Sequence, residues 1–237
     1  IDAKYYLGCL YYKQNDYDQA RYYLQQVAER RNSKYCEEAT RMVADIAYSH
    51  KDYATALNSY TALAEITNNP STKLHAQVHM LRSAQSLDRQ DVIIAQSQIV
   101  LDNSTLTPET AIEIRYYRAK AYLTKKKYES AIEDLKVLSD DTRNIYGAEA
   151  RYLLAELYYN TNRLDQAERE ILDYINVSTP HSYWLARSFV LLSDVYVKKD
   201  QKIEAKQYLL SLKQSYHAND DIATMIAERL QALDTQN

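Results

Sequence analysis

The chain has 237 residues, of which only 2 are glycine and 3 are proline. This scarcity argues against a β-sandwich or β-barrel and against a glycine-rich phosphate-binding loop. A formal net charge of −3 provides no basic field for nucleic acid, and no apolar run approaches the ~20 residues that a transmembrane helix needs.

The chain is predicted to consist of consecutive helical hairpins, because one residue pattern recurs along it. Each unit contains an alanine with a small residue twelve positions before it, as Gly8 precedes Ala20. Large apolar residues usually follow the alanine by four and seven positions, as Leu24 and Val27 do, which gives the stripe of an amphipathic helix. The predicted units cover approximately residues 1–34, 37–70, 76–109, 112–145, 148–181 and 186–219, and their alanines are Ala20, Ala56, Ala95, Ala131, Ala167 and Ala205.

Polar turn residues separate the two helices of most units. Asp16, Asp52 and Asp91 are predicted to cap the second helices of the first three units, since a carboxylate can accept hydrogen bonds from the free N–H groups there. All three prolines fall at or next to the end of a unit, in the connection to the next hairpin, where a helix must stop. They are Pro70, Pro108 and Pro180.

The segment Asp221–Leu233 follows the last unit and carries apolar residues on one helical face. We predict a helix that caps the apolar end of the last hairpin, as repeat arrays require. Two alternatives are the first helix of a seventh unit and a segment that binds a partner or a membrane.

This pattern resembles the tetratricopeptide repeat, a helix–turn–helix unit of about 34 residues. The first unit carries the signature Leu7-Gly8-x-x-Tyr11, followed by Ala20, Leu24 and Val27. The resemblance extends over about residues 1–219 and implies a right-handed α-solenoid of about six hairpins plus the capping helix. It also implies a single solenoid over residues 1–237. The chain starts at the beginning of a unit, which we interpret as a segment of a longer protein.

The resemblance further implies a concave groove lined by the first helix of each unit. The chain contains 24 tyrosines beside 1 phenylalanine and 1 tryptophan, and several tyrosines fall at groove positions. Tyrosine offers a large, rigid contact area with a hydrogen-bonding tip. The alternative is that these rings only pack between helices. The expected groove residues are Tyr5, Tyr12, Arg41, Tyr48, Met80, Tyr116, Lys120, Tyr152, Glu156 and Tyr159.

Residue clusters that could carry catalysis are few. His75 and His79 share a helical face but have no third ligand nearby in sequence, so neither a metal nor another cofactor is expected. Glu156 and Asp194 could form a carboxylate pair, yet general acid–base catalysis would need a closed pocket. We therefore expect no enzyme activity.

The expected function is a scaffold that binds a peptide or protein segment, not nucleic acid. The alternatives are a spacer or self-assembly module, and accessory repeats of a larger enzyme or envelope complex. The stretch from Asn32 to Ala39 resembles joins in bacterial cell-envelope repeat proteins, which suggests the periplasm, with the cytoplasm as the alternative. Cys9 and Cys36 lack CxxC spacing and are expected to be unpaired.

Overall fold

The computed structural model describes residues 1–235, and within this range the chain forms thirteen α-helices and no β-strand. The all-α fold of helical hairpins is thereby confirmed. No helix of the described part is long and apolar enough to span a membrane. The helices are α1 (Asp2–Lys13), α2 (Tyr17–Ala28), α3 (Cys36–Ser49), α4 (Tyr53–Ile66), α5 (Pro70–Ser86), α6 (Gln90–Leu101), α7 (Pro108–Thr124), α8 (Tyr128–Ser139), α9 (Ile145–Asn160), α10 (Leu164–Ile175), α11 (Ser182–Lys198), α12 (Lys202–Ser215) and α13 (Ile222–Thr235).

The helices form two compact parts of the chain, which we call unit 1 and unit 2; each contains several of the predicted repeats. Unit 1 covers Ile1–Lys125 and contains α1 to α7, whereas unit 2 begins at Lys126 and contains α8 to α13. The boundary lies within the fourth predicted hairpin, between its two helices. Cys9 and Cys36, both in unit 1, are free thiols.

The core of each unit forms where the small residues of the repeat pattern allow helices to approach closely. Ala20 and Ala56 in unit 1 and Ala131, Ala167 and Ala205 in unit 2 have no exposed surface. The apolar side chains that follow them on the second helices are also buried, as Leu24 and Leu135 show. An added methyl or methylene at these alanines would therefore have to displace packed neighbours.

All six hairpin turns contain one residue in the left-handed backbone region, although none of these residues is glycine. In every case the first helix ends two residues before it and the second begins two residues after it. Asn and Asp tolerate this conformation better than most residues, whereas lysine has no such advantage. The six residues and their φ angles are Asn15 (61°), Lys51 (62°), Asp88 (52°), Lys126 (56°), Asn162 (60°) and Asp200 (60°).

Two of the three predicted helix caps are confirmed. The carboxylate of Asp16 accepts a hydrogen bond from the backbone N–H of Gln19, and that of Asp52 accepts one from Thr55. The cap at Asp91 is wrong, because α6 begins at Gln90 and Asp91 lies in its first turn.

The same shift shows that the predicted register of the third repeat is wrong by two residues. Ala95 is exposed, whereas Ile93 is only 1% exposed and stands five residues after Asp88, as Ala20 stands after Asn15. Ile99 is likewise 55% exposed, while Val100 is fully buried. The third repeat therefore has Ile93 in place of the alanine.

The segment after the last hairpin forms the helix α13, which packs against α11 and α12. Ile222, Ile226 and Leu233 are its buried residues. They cover the apolar side of the last hairpin, as the capping interpretation expects.

Candidate functional site

The first helices of the hairpins carry the residues that the sequence places in a groove. We call the surface formed by such residues on α1, α3, α5 and α7 the unit 1 face, and the corresponding surface on α9, α11 and α13 the unit 2 cleft. The two are described separately.

Tyr5 and Tyr12 lie at the beginning of the unit 1 face and both contact other rings. The ring of Tyr5 stacks on that of Tyr35 with centroids 4.1 Å apart. Burial, with a smaller effect from the Cys9 thiol, raises the pKa of Tyr5 to about 12. Tyr12 is exposed and meets Tyr17 edge to face at 5.6 Å. Part of each ring is thus engaged within the unit.

Arg41 on α3 is held by two carboxylates of its own helix. Its guanidinium lies 2.6 Å from Glu38 Oε1 and 2.9 Å from Asp45 Oδ2. The hydrogen bond from Arg41 lowers the pKa of Glu38. Asp45 also accepts a hydrogen bond of 2.8 Å from the hydroxyl of Tyr60.

Tyr48 belongs to a cluster of rings with the two histidines of α5. The Tyr48 ring meets His79 edge to face at 4.9 Å, and the two histidine rings are 4.4 Å apart. Burial, followed by the nearby charges of His75 and Arg82, lowers the pKa of His79 to about 4. Its Nδ1 is buried without a hydrogen-bond partner among the described residues. No group of three or more His, Cys, Asp or Glu side chains in residues 1–235 is arranged to hold a metal ion.

Met80 is only 5% exposed and belongs to the core of unit 1. The corrected register moves the groove positions of α5 two residues towards the N-terminus, to His75, Val78 and Arg82, although Val78 is itself only 7% exposed and packs in the same core. Arg82 forms two hydrogen bonds with the carboxylate of Glu113 on α7, at 2.9 and 2.8 Å. The wrong register hid this pair from sequence analysis.

Tyr116 and Lys120 lie one helical turn apart on α7 and are both half-buried. The ammonium of Lys120 lies 5.8 Å from the centroid of the Tyr116 ring, within the range of a cation–π contact. The Tyr117 ring is 6.4 Å from that of Tyr116. α7 therefore adds a ring and a positive charge to the unit 1 face.

In unit 2 the structure brings three predicted residues together in one cleft. Tyr152, Glu156 and Tyr159 of α9 line it with side chains of α11 and α13, and its volume is about 200 Å³. The other lining residues, which the sequence analysis did not select as site residues, are Asn160, Arg187, Val190, Leu191, Asp194, Met225 and Arg229.

Tyr152 forms the centre of a polar chain at this cleft. Its hydroxyl donates to Glu156 Oε1 at 2.5 Å and accepts from Arg187 Nη2 at 3.0 Å. The guanidinium carbon of Arg187 lies 4.9 Å from the Tyr152 ring centroid. Burial, and then the hydrogen bond with Glu156, raises the pKa of Tyr152. The phenol is therefore a neutral hydrogen-bonding group near pH 7.

Other charged groups in and beside the cleft have partners of a different kind. Asp194 accepts two hydrogen bonds from Arg229, each 2.8 Å long. The Lys198 ammonium lies 3.7 Å from the Tyr159 ring centroid. Arg187 is the second residue of the sixth repeat and lies on its first helix, so the repeat pattern could have revealed it, whereas nothing in the sequence linked Arg229 to a site. The cleft can recognise shape, charge and hydrogen-bonding groups.

Comparisons with known proteins agree with this architecture. The family model described as tetratricopeptide repeat matches residues 5–70 and 116–183, more than half of the chain. No curated protein sequence matches the chain. The structure of the MamA protein is similar with a TM-score of 0.60 at 16% identity, over 77% of this chain and 92% of that one. The structure of BtubC (BKLC) from P. vanneervenii is similar with a TM-score of 0.53 at 16% identity, over 86% and 94%. At these identities the likeness concerns the fold.

Proposed function

Since the chain belongs to the tetratricopeptide repeat family, we propose that it is a non-catalytic scaffold that binds a peptide or protein segment on its first-helix residues. A fold of this family supports protein–protein interaction. The finer part of the proposal concerns which surface binds, and it rests on the unit 2 cleft.

The observation that carries the proposal is the grouping of Tyr152, Glu156 and Tyr159 in a cleft of about 200 Å³. Pockets that enclose a drug-sized ligand are usually larger, about 300–1,000 Å³. A cleft of this size suits one protruding side chain of a partner better than a whole small molecule. The half-buried Tyr159 ring lines the cleft, with the Lys198 ammonium over the ring, and can serve as a rigid anchor of the kind that often dominates binding energy.

The unit 1 face extends the proposal to a second surface. Arg41 pairs with Glu38 of its own helix, and Arg82 pairs with Glu113 of α7. These pairs hold the charged groups in fixed positions. Preorganised charges favour specificity and fast association more than affinity. Exposed and half-buried rings, such as Tyr12 and Tyr48, stand beside these charges.

The proposal can be tested with short random peptides selected by display on the purified protein. Tyr159→Ala should weaken the binding of selected peptides at least tenfold, because truncation of an aromatic anchor typically costs ~2 kcal/mol or more. The matched control is Tyr22→Ala, which removes a ring that is 62% exposed on the second helix α2. Fluorescence polarisation would measure binding, and circular dichroism would verify the helix content.

Two outcomes would contradict the proposal. If Tyr22→Ala abolished binding while Tyr159→Ala had no effect, the second-helix surface would be the binding site. If no peptide were enriched, a spacer or self-assembly module would describe the protein better.

A further inference from the structure

The polar groups of the unit 2 cleft differ in how much of their hydrogen-bonding capacity is used by other residues of the protein. The carboxylate of Glu156 accepts one hydrogen bond, from Tyr152, and forms no ion pair with a described residue. Its side chain is half-buried and lines the cleft. An ionised carboxylate has room for several hydrogen bonds, so Glu156 retains unused acceptor capacity inside the cleft.

Both arginines of the cleft are already engaged. Arg229 forms a bidentate pair with Asp194 and also donates to the backbone oxygen of Met225. Arg187 donates to the hydroxyls of Tyr152 and Tyr183. A negatively charged guest would therefore have to displace existing contacts before it met an available cation.

Arg187 has a further constraint. Its Nη1 lies 3.7 Å from Asp221, and its Nε is buried without a hydrogen-bond partner among the described residues. A guest cannot use this Nε unless the side chain moves. Lys198 lies outside the cleft lining, and its ammonium is placed over the Tyr159 ring.

We propose that the unit 2 cleft accepts a lysine or arginine side chain of the bound segment, with Glu156 as its counter-charge. This inference rests on the proposed function and specifies which side chain of the bound segment enters the cleft. The methylene groups of the guest would contact Met225, which is half-buried, and the small exposed part of Leu191, while its charged end would reach Glu156. Long basic side chains commonly bury their stems in this way and keep the charge at a polar partner.

The test uses short random peptides displayed against the wild-type protein and against Glu156→Gln, which keeps the size of the side chain and removes its charge. The control is Glu204→Gln, an identical change at an exposed residue of α12 in the same unit. The best wild-type peptide and a copy with norleucine in place of its basic residue are then titrated against all three proteins. Norleucine keeps the aliphatic stem and lacks the charge.

We expect wild-type selection to enrich lysine or arginine at one shared position. The norleucine exchange should weaken binding about tenfold to the wild-type protein and to Glu204→Gln, and less than twofold to Glu156→Gln. If the exchange in the peptide has a large effect only while Glu156 keeps its charge, the two changes are coupled. This coupling assigns the effect to the contact between the two charges.

The results that would overturn the inference differ from those that would overturn the proposed function. Peptides that depend on Tyr159 but share no basic residue would refute the charge assignment alone, as would an equal norleucine effect in all three proteins. Peptides that are insensitive to Tyr159→Ala, or a selection without enriched peptides, would refute the proposed function and this inference with it.

Discussion

Asp194 on α11 and Arg229 on α13 are joined by two parallel hydrogen bonds of 2.8 Å, and each side chain is largely withdrawn from solvent. The hydrogen bond with Asp194 raises the pKa of Arg229, against the opposing effect of its burial. This pair connects the last helix to the preceding hairpin and also forms one side of the unit 2 cleft.

Replacement of Arg229 with alanine should therefore destabilise the protein. The change leaves the carboxylate of Asp194 without its partner in a partly buried position, which typically costs about 1–3 kcal/mol. Urea unfolding would measure the loss. Lys206→Ala is the control, because its pair with Asp234 is more exposed and should contribute about 0–1 kcal/mol. Equal losses in the two variants would contradict this account.

The register of the third repeat can be tested by paired substitutions on α6. Ile93→Ala should lower the free energy of unfolding by about 2–4 kcal/mol, because it leaves a cavity in the core of unit 1. Ala95→Leu should change it by less than about 0.5 kcal/mol, since Ala95 is exposed. The same substitution at Ala131, which has no exposed surface, should cost about 1–3 kcal/mol through overpacking. A severe loss at Ala95 with none at Ile93 would restore the sequence-based register.

The stability of unit 1 should depend on the protonation of His79. Its pKa is about 4 in the folded protein, below the ordinary value of ~6.5 that applies to the unfolded chain. Between these values the unfolded state binds more protons, so the free energy of unfolding should decrease as the pH falls from ~6.5 to ~4. After allowance for partial solvent exposure, the loss should be about 1–2 kcal/mol.

His79→Gln supplies the control for this pH effect. The variant retains polar groups next to Tyr48, His75 and Arg82 but cannot take up the proton. Its stability should fall less steeply over the same pH interval, and both proteins should lose stability at lower pH as carboxylates such as Glu113 are protonated. Parallel curves for the two proteins would show that His79 does not contribute.

The two glycines should differ in their tolerance of alanine. A Cβ at Gly147 would press on the backbone oxygen of Asp141 and lie 2.7 Å from that of Leu138, so Gly147→Ala should cost about 2–3 kcal/mol. A Cβ at Gly8 would meet only the side chain of Leu24 closely, at 2.6 Å. The gain in helix propensity of about 1 kcal/mol offsets part of that strain. Thermal melts of both variants would compare their losses of stability. A larger loss for Gly8→Ala than for Gly147→Ala would contradict this prediction.

The sequence was sufficient to predict the hairpins, because the small residue at the helix crossing recurs with the apolar stripe. It was misleading in the third repeat, where Ala95 resembles the pattern by chance while the larger Ile93 occupies the crossing. The burial of Ile93 depends on neighbours such as Leu81, which replaces the usual small residue of the first helix.

The site could be predicted only in part, because helical spacing places a residue on a face but does not reveal its partners. Tyr152 was expected on the binding surface, yet only 5% of it is exposed, because Arg187 and Trp184 pack against its ring. Arg82 and Glu113 are 31 residues apart. Pairs of this kind form from the contact between neighbouring hairpins, which no local pattern encodes.

The constant geometry of the six turns also determines where the chain can change in length. Because each second helix starts two residues after the left-handed residue, one extra residue in a turn would rotate that helix by about 100° relative to its partner. The buried stripe would then point away from the core. The connections between hairpins already range from three residues after α4 to seven after α2. A tag or foreign loop is therefore better inserted in such a connection, for example after Asn103, than in a turn.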